Sequence, residues 1–133
     1  MQNVIVDTSV ILAVLLDEPS KDFIVESTQN TNLLAPTPLH WEIGNALSAM
    51  FKRKRITLDQ AREALDVYDQ IPIRFVDVEL EQAVVLSEQL RIYAYDAYFL
   101  VCAQTQYYPL LTLDAGLKSA ARQIGVNLIE VTP

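Results

Sequence analysis

Short, almost wholly apolar runs alternate along the chain with longer stretches whose apolar residues return every three or four positions. Runs of the first kind are Asn3–Val6, Leu33–Ala35, Ile73–Val76, Leu110–Leu113 and Asn127–Ile129. Their brevity and uniform apolarity predict strands covered on both faces, as in parallel sheets. The second kind predicts helices over Val10–Leu16, Pro38–Lys54, Thr57–Gln70, Val78–Ile92, Tyr95–Gln106 and Ala115–Ile124. Pro38 suits a first helical turn, where its missing N–H is not needed. Thr57 with Gln60 fits a capping box, and Gly125 is a stop signal after the last helix. Strands alternating with helices predict an α/β domain with a mainly parallel sheet and right-handed crossovers.

The length of 133 residues fits one domain spanning 1–133, large enough for a real hydrophobic core. With 51% hydrophobic and 20% charged residues, the chain is expected to be compact rather than disordered. Val10–Leu16 and Ala97–Ala103 are its longest apolar stretches. Both fall far short of the roughly 20 residues of a membrane-spanning helix, so no membrane association is expected. No basic segment precedes an apolar one at the N-terminus, so no secretory signal is expected. The lone Cys102 lies in an apolar helical run and reads as a buried structural thiol, in keeping with a cytoplasmic location. Only Gly44, Gly116 and Gly125 occur, which excludes the glycine-rich phosphate loops. His40 is the single histidine, so acid–base catalysis by a histidine pair is excluded as well.

Four acids stand at places where chemistry is built. Asp7 ends the first strand and is followed by Thr8 and Ser9, which open an apolar helix. Open α/β sheets bind ligands at that edge. Asp114 follows the fourth strand, and side-chain alternation puts Thr112 on the same side. Asp96 opens the helix that feeds that strand. Glu42 lies within the helix after the second strand, with Asn45 three residues on and on the same face. A plain structural reading exists for each. The aspartates suit helix caps and first turns. Glu42 suits a solvated helix face, although Leu39, Trp41, Ile43, Ala46 and Leu47 around it make a lone carboxylate uncomfortable. Trp41 itself reads as a core anchor. Tyr95, Tyr98, Phe99, Tyr107 and Tyr108 read as core or dimer surface rather than base-stacking platforms, with Tyr95 placed to approach a substrate.

The alternative treats the four acids as one cluster. Mg2+ and Mn2+ prefer hard oxygen ligands, and four close carboxylates without a cation repel one another. An ion held there makes its water more acidic and stabilises the attacking and leaving oxygens of a phosphodiester. The formal charge of −7 runs against binding a polyanion, which usually meets a positive footprint. Lys52, Arg53, Lys54 and Arg55 hold four of the ten basic residues. They read either as a solvated helix C-terminus favoured by the macrodipole or as a local patch for substrate.

Taken in order, Ile5-Val6-Asp7-Thr8-Ser9, Glu42-x-x-Asn45, Tyr95-Asp96-Ala97 and Leu111-Thr112-x-Asp114 resemble the PIN-domain nucleases. The likeness is greatest to the VapC-type toxin ribonucleases of type II toxin–antitoxin systems, and it covers essentially the whole chain. It implies a three-layer α/β/α fold with a central parallel sheet of about five strands, the first and fourth being neighbours. It further implies an endoribonuclease whose catalytic and metal-binding acids are Asp7, Glu42, Asp96 and Asp114, with Mg2+ or Mn2+ as cofactor. Thr8 and Thr112 match hydroxyls that orient those acids or contact a metal-bound water, and Ser9 and Asn45 match polar positions beside the site. Lys52, Arg53, Lys54 and Arg55 become the expected RNA contacts. The implied partners are an RNA substrate, a cognate antitoxin and a second copy in a homodimer. Some members carry a further acid where this chain has Ala115 and Gly116, so a second ion is expected to bind weakly or only with substrate.

Other classes fit less well. A PIN-like module that binds RNA or protein without cutting would not need all four acids. An aspartate-based phosphatase wants a second acid two residues after the first, where Ser9 stands. A phospho-acceptor domain wants an acid pair near its start and a lysine after a late strand, whereas Lys118 falls inside a predicted helix.

Overall fold

The computed structural model describes residues 1–130. Its centre is β1 (Gln2–Val6), whose Val4, Ile5 and Val6 are fully buried. On one side β1 pairs in parallel with β2 (Thr31–Pro36), in the register Val4↔Leu33 and Ile5↔Leu34. On the other it pairs in parallel with β4 (Leu110–Leu111), where Val6 meets Leu111. The edge strand β3 (Ile73–Val76) adds to β2, giving the order β3-β2-β1-β4. All four strands therefore end at one edge, and sites on α/β sheets are built there.

The sheet has four strands where about five are expected. Asn127–Ile129 reaches the sheet but forms only one isolated parallel bridge, Leu110↔Leu128. Two backbone bonds flank it, Leu110 N–H to Asn127 and Ile129 N–H to Leu110. β4 has just two residues to pair with, because the chain leaves the ladder at Thr112 to bond with side chains instead. The neighbour relation of β1 and β4 is as expected.

Helices fill both faces. α1 (Thr8–Leu15), α2 (Lys21–Ser27), α3 (Pro38–Lys52) and α4 (Leu58–Asp69) form one set, with α1 touching each of the others. α5 (Leu80–Leu90) packs along α6 (Ala94–Gln106), and α6 lies against β1, β2 and β4. α7 (Ala115–Gln123) follows β4. α6 is apolar nearly all round, with Ala97, Phe99, Leu100, Val101, Cys102 and Ala103 buried, as a helix inside a core must be. Burial pushes the Cys102 thiol up to about 11. The capping box at Thr57 is complete, since Thr57 accepts from Gln60 N–H and Gln60 accepts from Thr57 N–H. The short α2 has no counterpart among the predicted helices, and Ile24 is its one buried residue. Among the described residues no helix is long and apolar enough to cross a membrane.

Candidate active site

Where β1 stops, Asp7 adopts an extended backbone and becomes the N-cap of α1. Its Oδ1 accepts from Val10 N–H at 3.2 Å and from the Ser9 hydroxyl at 2.6 Å. Oδ2 accepts from the Thr112 hydroxyl at 2.5 Å. Ser9 Oγ in turn accepts from Leu113 N–H at 3.0 Å, and Thr112 Oγ1 from Asp114 N–H at 3.0 Å. Each hydroxyl has one hydrogen, and each spends it on Asp7. The 3.5 Å approach of Ser9 to Thr112 is thus contact between two acceptors. Proton counting makes Asp7 an anion: three donors converge on it, and only Oδ2 keeps a lone pair facing away from them.

The same network carries Asp114. It caps α7 through Oδ2, which accepts from Leu117 N–H at 2.7 Å. The capping reading of Asp7 and Asp114 is therefore correct as far as it goes. One capped oxygen each still leaves coordination capacity on both carboxylates.

α6 arrives through a contact that no local pattern signals. Thr8 Oγ1 and Tyr95 Oη lie 2.6 Å apart, although 87 positions separate them. Thr8 thus holds a phenol rather than a carboxylate. The contact sets the N-terminus of α6, with Asp96 in its first turn, against the start of α1. Glu42 sits in the second turn of α3, half-buried, with Asn45 Nδ2 donating to Oε1 at 3.4 Å.

Charge links the acids in part, through Tyr95 and through Asp114. Burial raises the Tyr95 hydroxyl well above the usual tyrosine range; the Thr8 bond opposes this, and Glu42, Asp7 and Asp96 push the same way as burial. Asp7 is raised chiefly by burial, against the bonds from Ser9, Thr112 and Val10, with Asp114 adding to the rise. Asp96 is raised by burial and then by Asp114, with nothing opposing. No basic side chain answers them: the three ion pairs among the described residues, Lys21–Asp17, Arg62–Asp59 and Arg122–Glu130, include none of the four. Nor do any three His, Cys, Asp or Glu side chains among the described residues close to ion-holding distance. Like charges left without a basic partner repel one another and hold the carboxylates apart. Hard oxygens, uncompensated charge and spare lone pairs fit Mg2+ or Mn2+.

Other expected positions fall elsewhere. Lys52 ends α3, and Arg53, Lys54 and Arg55 follow it, all exposed. Ten residues separate Lys52 from Glu42, about 15 Å along a helix axis, so the basic run is not brought to the acids. Trp41 is 73% exposed and is no core anchor. Leu39, Ile43 and Leu47 turn the buried face of α3 inward, and Trp41 lies about 200° around the helix from Leu39. Phe99 is core, Tyr95, Tyr98 and Tyr108 are half-buried, and Tyr107 is 92% exposed. The acids line an open edge of the sheet. Surface clefts of about 410 Å3 to about 550 Å3 are lined by other residues.

The sequence model of the PIN domain family matches residues 4–123. The chain belongs to the PIN domain family. No curated protein sequence matches it. Among solved structures it is similar to PAE2754 from Pyrobaculum aerophilum, with a TM-score of 0.69 and 19% identity over 90% of this chain and 79% of that one. VapBC2 from Rickettsia felis, bound to a DNA fragment from their promoter, gives 0.67 and 16% over 96% and 98% of the two chains. The Sarcin-Ricin loop cleaving toxin VapC20 from Mycobacterium tuberculosis gives 0.64 and 14% over 98% and 99%. At these identities the likeness establishes the PIN fold.

Proposed function

We propose that this PIN domain protein is a Mg2+- or Mn2+-dependent endoribonuclease, the toxin of a type II toxin–antitoxin pair acting in the cytoplasm. The observation that carries the reading is the joined ends of β1 and β4, where Ser9 and Thr112 donate to Asp7 and Thr112 accepts from Asp114 N–H, while none of the four acids has an ion-pair partner among the described residues. A charge cluster maintained without a basic partner is costly unless something binds it. Asp7 and Asp96 are the principal ligands, with Asp114 and Glu42 assisting. When bound, the ion makes its water more acidic and offsets charge on the phosphodiester.

The chain's own residues position and exclude. Ser9 and Thr112 fix both oxygens of Asp7, so the carboxylate need not reorganise during reaction. Tyr95, tied to Thr8, walls one side of the acids. Asn45 steers Glu42. Lys52, Arg53, Lys54 and Arg55 meet the RNA backbone away from the scissile phosphate. Likeness to VapBC2 and VapC20 supports the toxin branch and a cognate antitoxin, and a homodimer is the expected assembly.

Incubation of the full chain with total RNA and Mn2+, with and without EDTA, tests the reading. Metal-dependent cuts leaving 5′-phosphate and 3′-hydroxyl ends are expected, and Asp7→Asn should fold yet cut at least about a hundredfold more slowly. No cleavage by the wild type with either ion, or full activity in EDTA, would overturn it in favour of a module that binds without cutting.

A further inference from the structure

We infer that Gly116 is a positioning residue for the ion: its missing Cβ keeps the Asp114 carboxylate where it can cap α7 and still meet a cation. The role rests on the metal-dependent reading above. Gly116 is the second residue of α7 and is exposed. Glycine is the weakest helix former after proline. Its φ lies outside the left-handed region, where Gly125 is the one glycine among the described residues, at φ 76. Backbone conformation thus gives no reason for glycine at 116, and alanine would serve the helix better.

The reason lies in the neighbour. A Cβ on Gly116 would stand 3.3 Å from Asp114 Oδ2, closer than an ordinary van der Waals contact. That oxygen is not free to retreat. It accepts the 2.7 Å bond from Leu117 N–H that caps α7. The Asp114 backbone is tied as well, since its own N–H donates to Thr112 Oγ1 at 3.0 Å. A methyl group placed there must rotate the carboxylate or lengthen the cap bond. In α3 a Cβ on Gly44 would meet nothing within 4 Å. Both glycines are exposed and helical, and of the two Gly116 alone has a carboxylate in the way.

A shift of a few tenths of an ångström matters more to an ion than to a fold. The charge of Asp114 reaches both Asp7 and Asp96, the proposed principal ligands. Mg2+ demands near-ideal geometry at about 2.0–2.1 Å, whereas Ca2+ accepts longer and looser oxygen shells. Displacing one assisting carboxylate therefore penalises Mg2+ most. Gly116 in this way sets ion selectivity along with affinity.

Calorimetry of Mn2+, Mg2+ and Ca2+ binding to the full chain, without RNA, tests the inference. Gly116→Ala should bind Mn2+ about tenfold more weakly, the scale of losing a group that orients a ligand. Its Mg2+ affinity should fall more than its Ca2+ affinity. Gly44→Ala should bind all three ions as the wild type does. With Asp114→Ala already present the methyl has nothing to displace, so adding Gly116→Ala should cost no further affinity. Without metal, Gly116→Ala should raise the melting temperature more in that background than with Asp114 in place.

Equal Mn2+ affinity in Gly116→Ala and wild type overturns the inference and leaves the nuclease reading standing. So does the same melting gain with and without Asp114, since the methyl would then act on the helix alone. Tenfold weaker Mn2+ uptake in Gly116→Ala, with no RNA cleavage by the wild type, would do the reverse. No ion uptake by the wild type would remove both.

Discussion

Thr112 and Asp7, 105 positions apart, meet across the β1–β4 pairing, with the threonine hydroxyl donating to Oδ2. The bond joins the two strand ends that carry Asp7 and Asp114. It exists because β4 stops two residues earlier than its apolar pattern suggests. Thr112 is 1% exposed, so no water can replace it. Thr112→Val keeps the shape, removes one donor from a buried carboxylate and strips Asp114 N–H of its acceptor. Urea unfolding should show a loss of about 2 kcal/mol, as for a hydrogen bond to a charged group, and Thr112→Ser should restore most of it. A loss below about 0.5 kcal/mol, the level of ordinary surface changes, would mean the bond contributes nothing.

Asp7 and Asp96 both titrate above the ordinary aspartate value of 3.8. Burial is the main cause in each. A carboxyl raised on folding favours the native state most below its unfolded value, near pH 4, and that stability is lost as pH rises through the folded-state value. Without metal, Asp96→Asn should therefore unfold at a higher temperature than wild type at pH 7. The advantage should shrink on acidification and vanish below about pH 4. A variant less stable than wild type at pH 7 would show that Asp96 is satisfied by a partner.

The fold, and the strand end and helix caps at which Asp7 and Asp114 stand, were legible in the sequence for a simple reason. Strand periodicity, caps and the position of an acid at a strand end are local features. What escaped depends on distant parts of the chain. Thr8 gives no sign that it will meet Tyr95, since the contact requires α6 to pack beneath β1. Trp41 looked buried because its neighbours are apolar, yet the four-residue spacing of Leu39, Ile43 and Leu47 already places it off the buried face. The fifth strand failed for want of a partner, because Thr112 and Leu113 bond to the site instead of extending β4. α2 was invisible, being seven residues with a single buried side chain.

The proposed ion site has a thermodynamic signature independent of cutting. A ligand that binds only the folded chain stabilises it by mass action, about 2.7 kcal/mol at a hundredfold excess over Kd. Mn2+ should raise the melting temperature of the wild type by several degrees, on the scale of about 2–8 °C per kcal/mol. Asp7→Asn and Asp96→Asn should lose most of that shift, whereas Thr57→Ala, at the distant cap of α4, should keep it whatever its own starting stability. Equal shifts in all four proteins would place the ion elsewhere on this acidic surface.

The basic run has a structural role that separates cleanly from any contact with RNA. Arg53 is the C-cap of α3, and Lys54 follows it in the left-handed region at φ 56. Lys54 N–H bonds to Phe51 and Arg55 N–H to Met50, both at 2.9 Å, which is the paired pattern of a Schellman ending. That ending favours glycine, because a side chain in the left-handed region costs about 1 kcal/mol. Lys54→Gly is therefore expected to raise stability by up to about 1 kcal/mol in urea, and Lys54→Val to lower it. If the lysine charge also meets RNA, Lys54→Gly should weaken RNA binding at low salt while the folded chain grows more stable. Opposite movements of the two readouts would establish both roles; a stability gain with unchanged RNA binding would leave the helix ending alone.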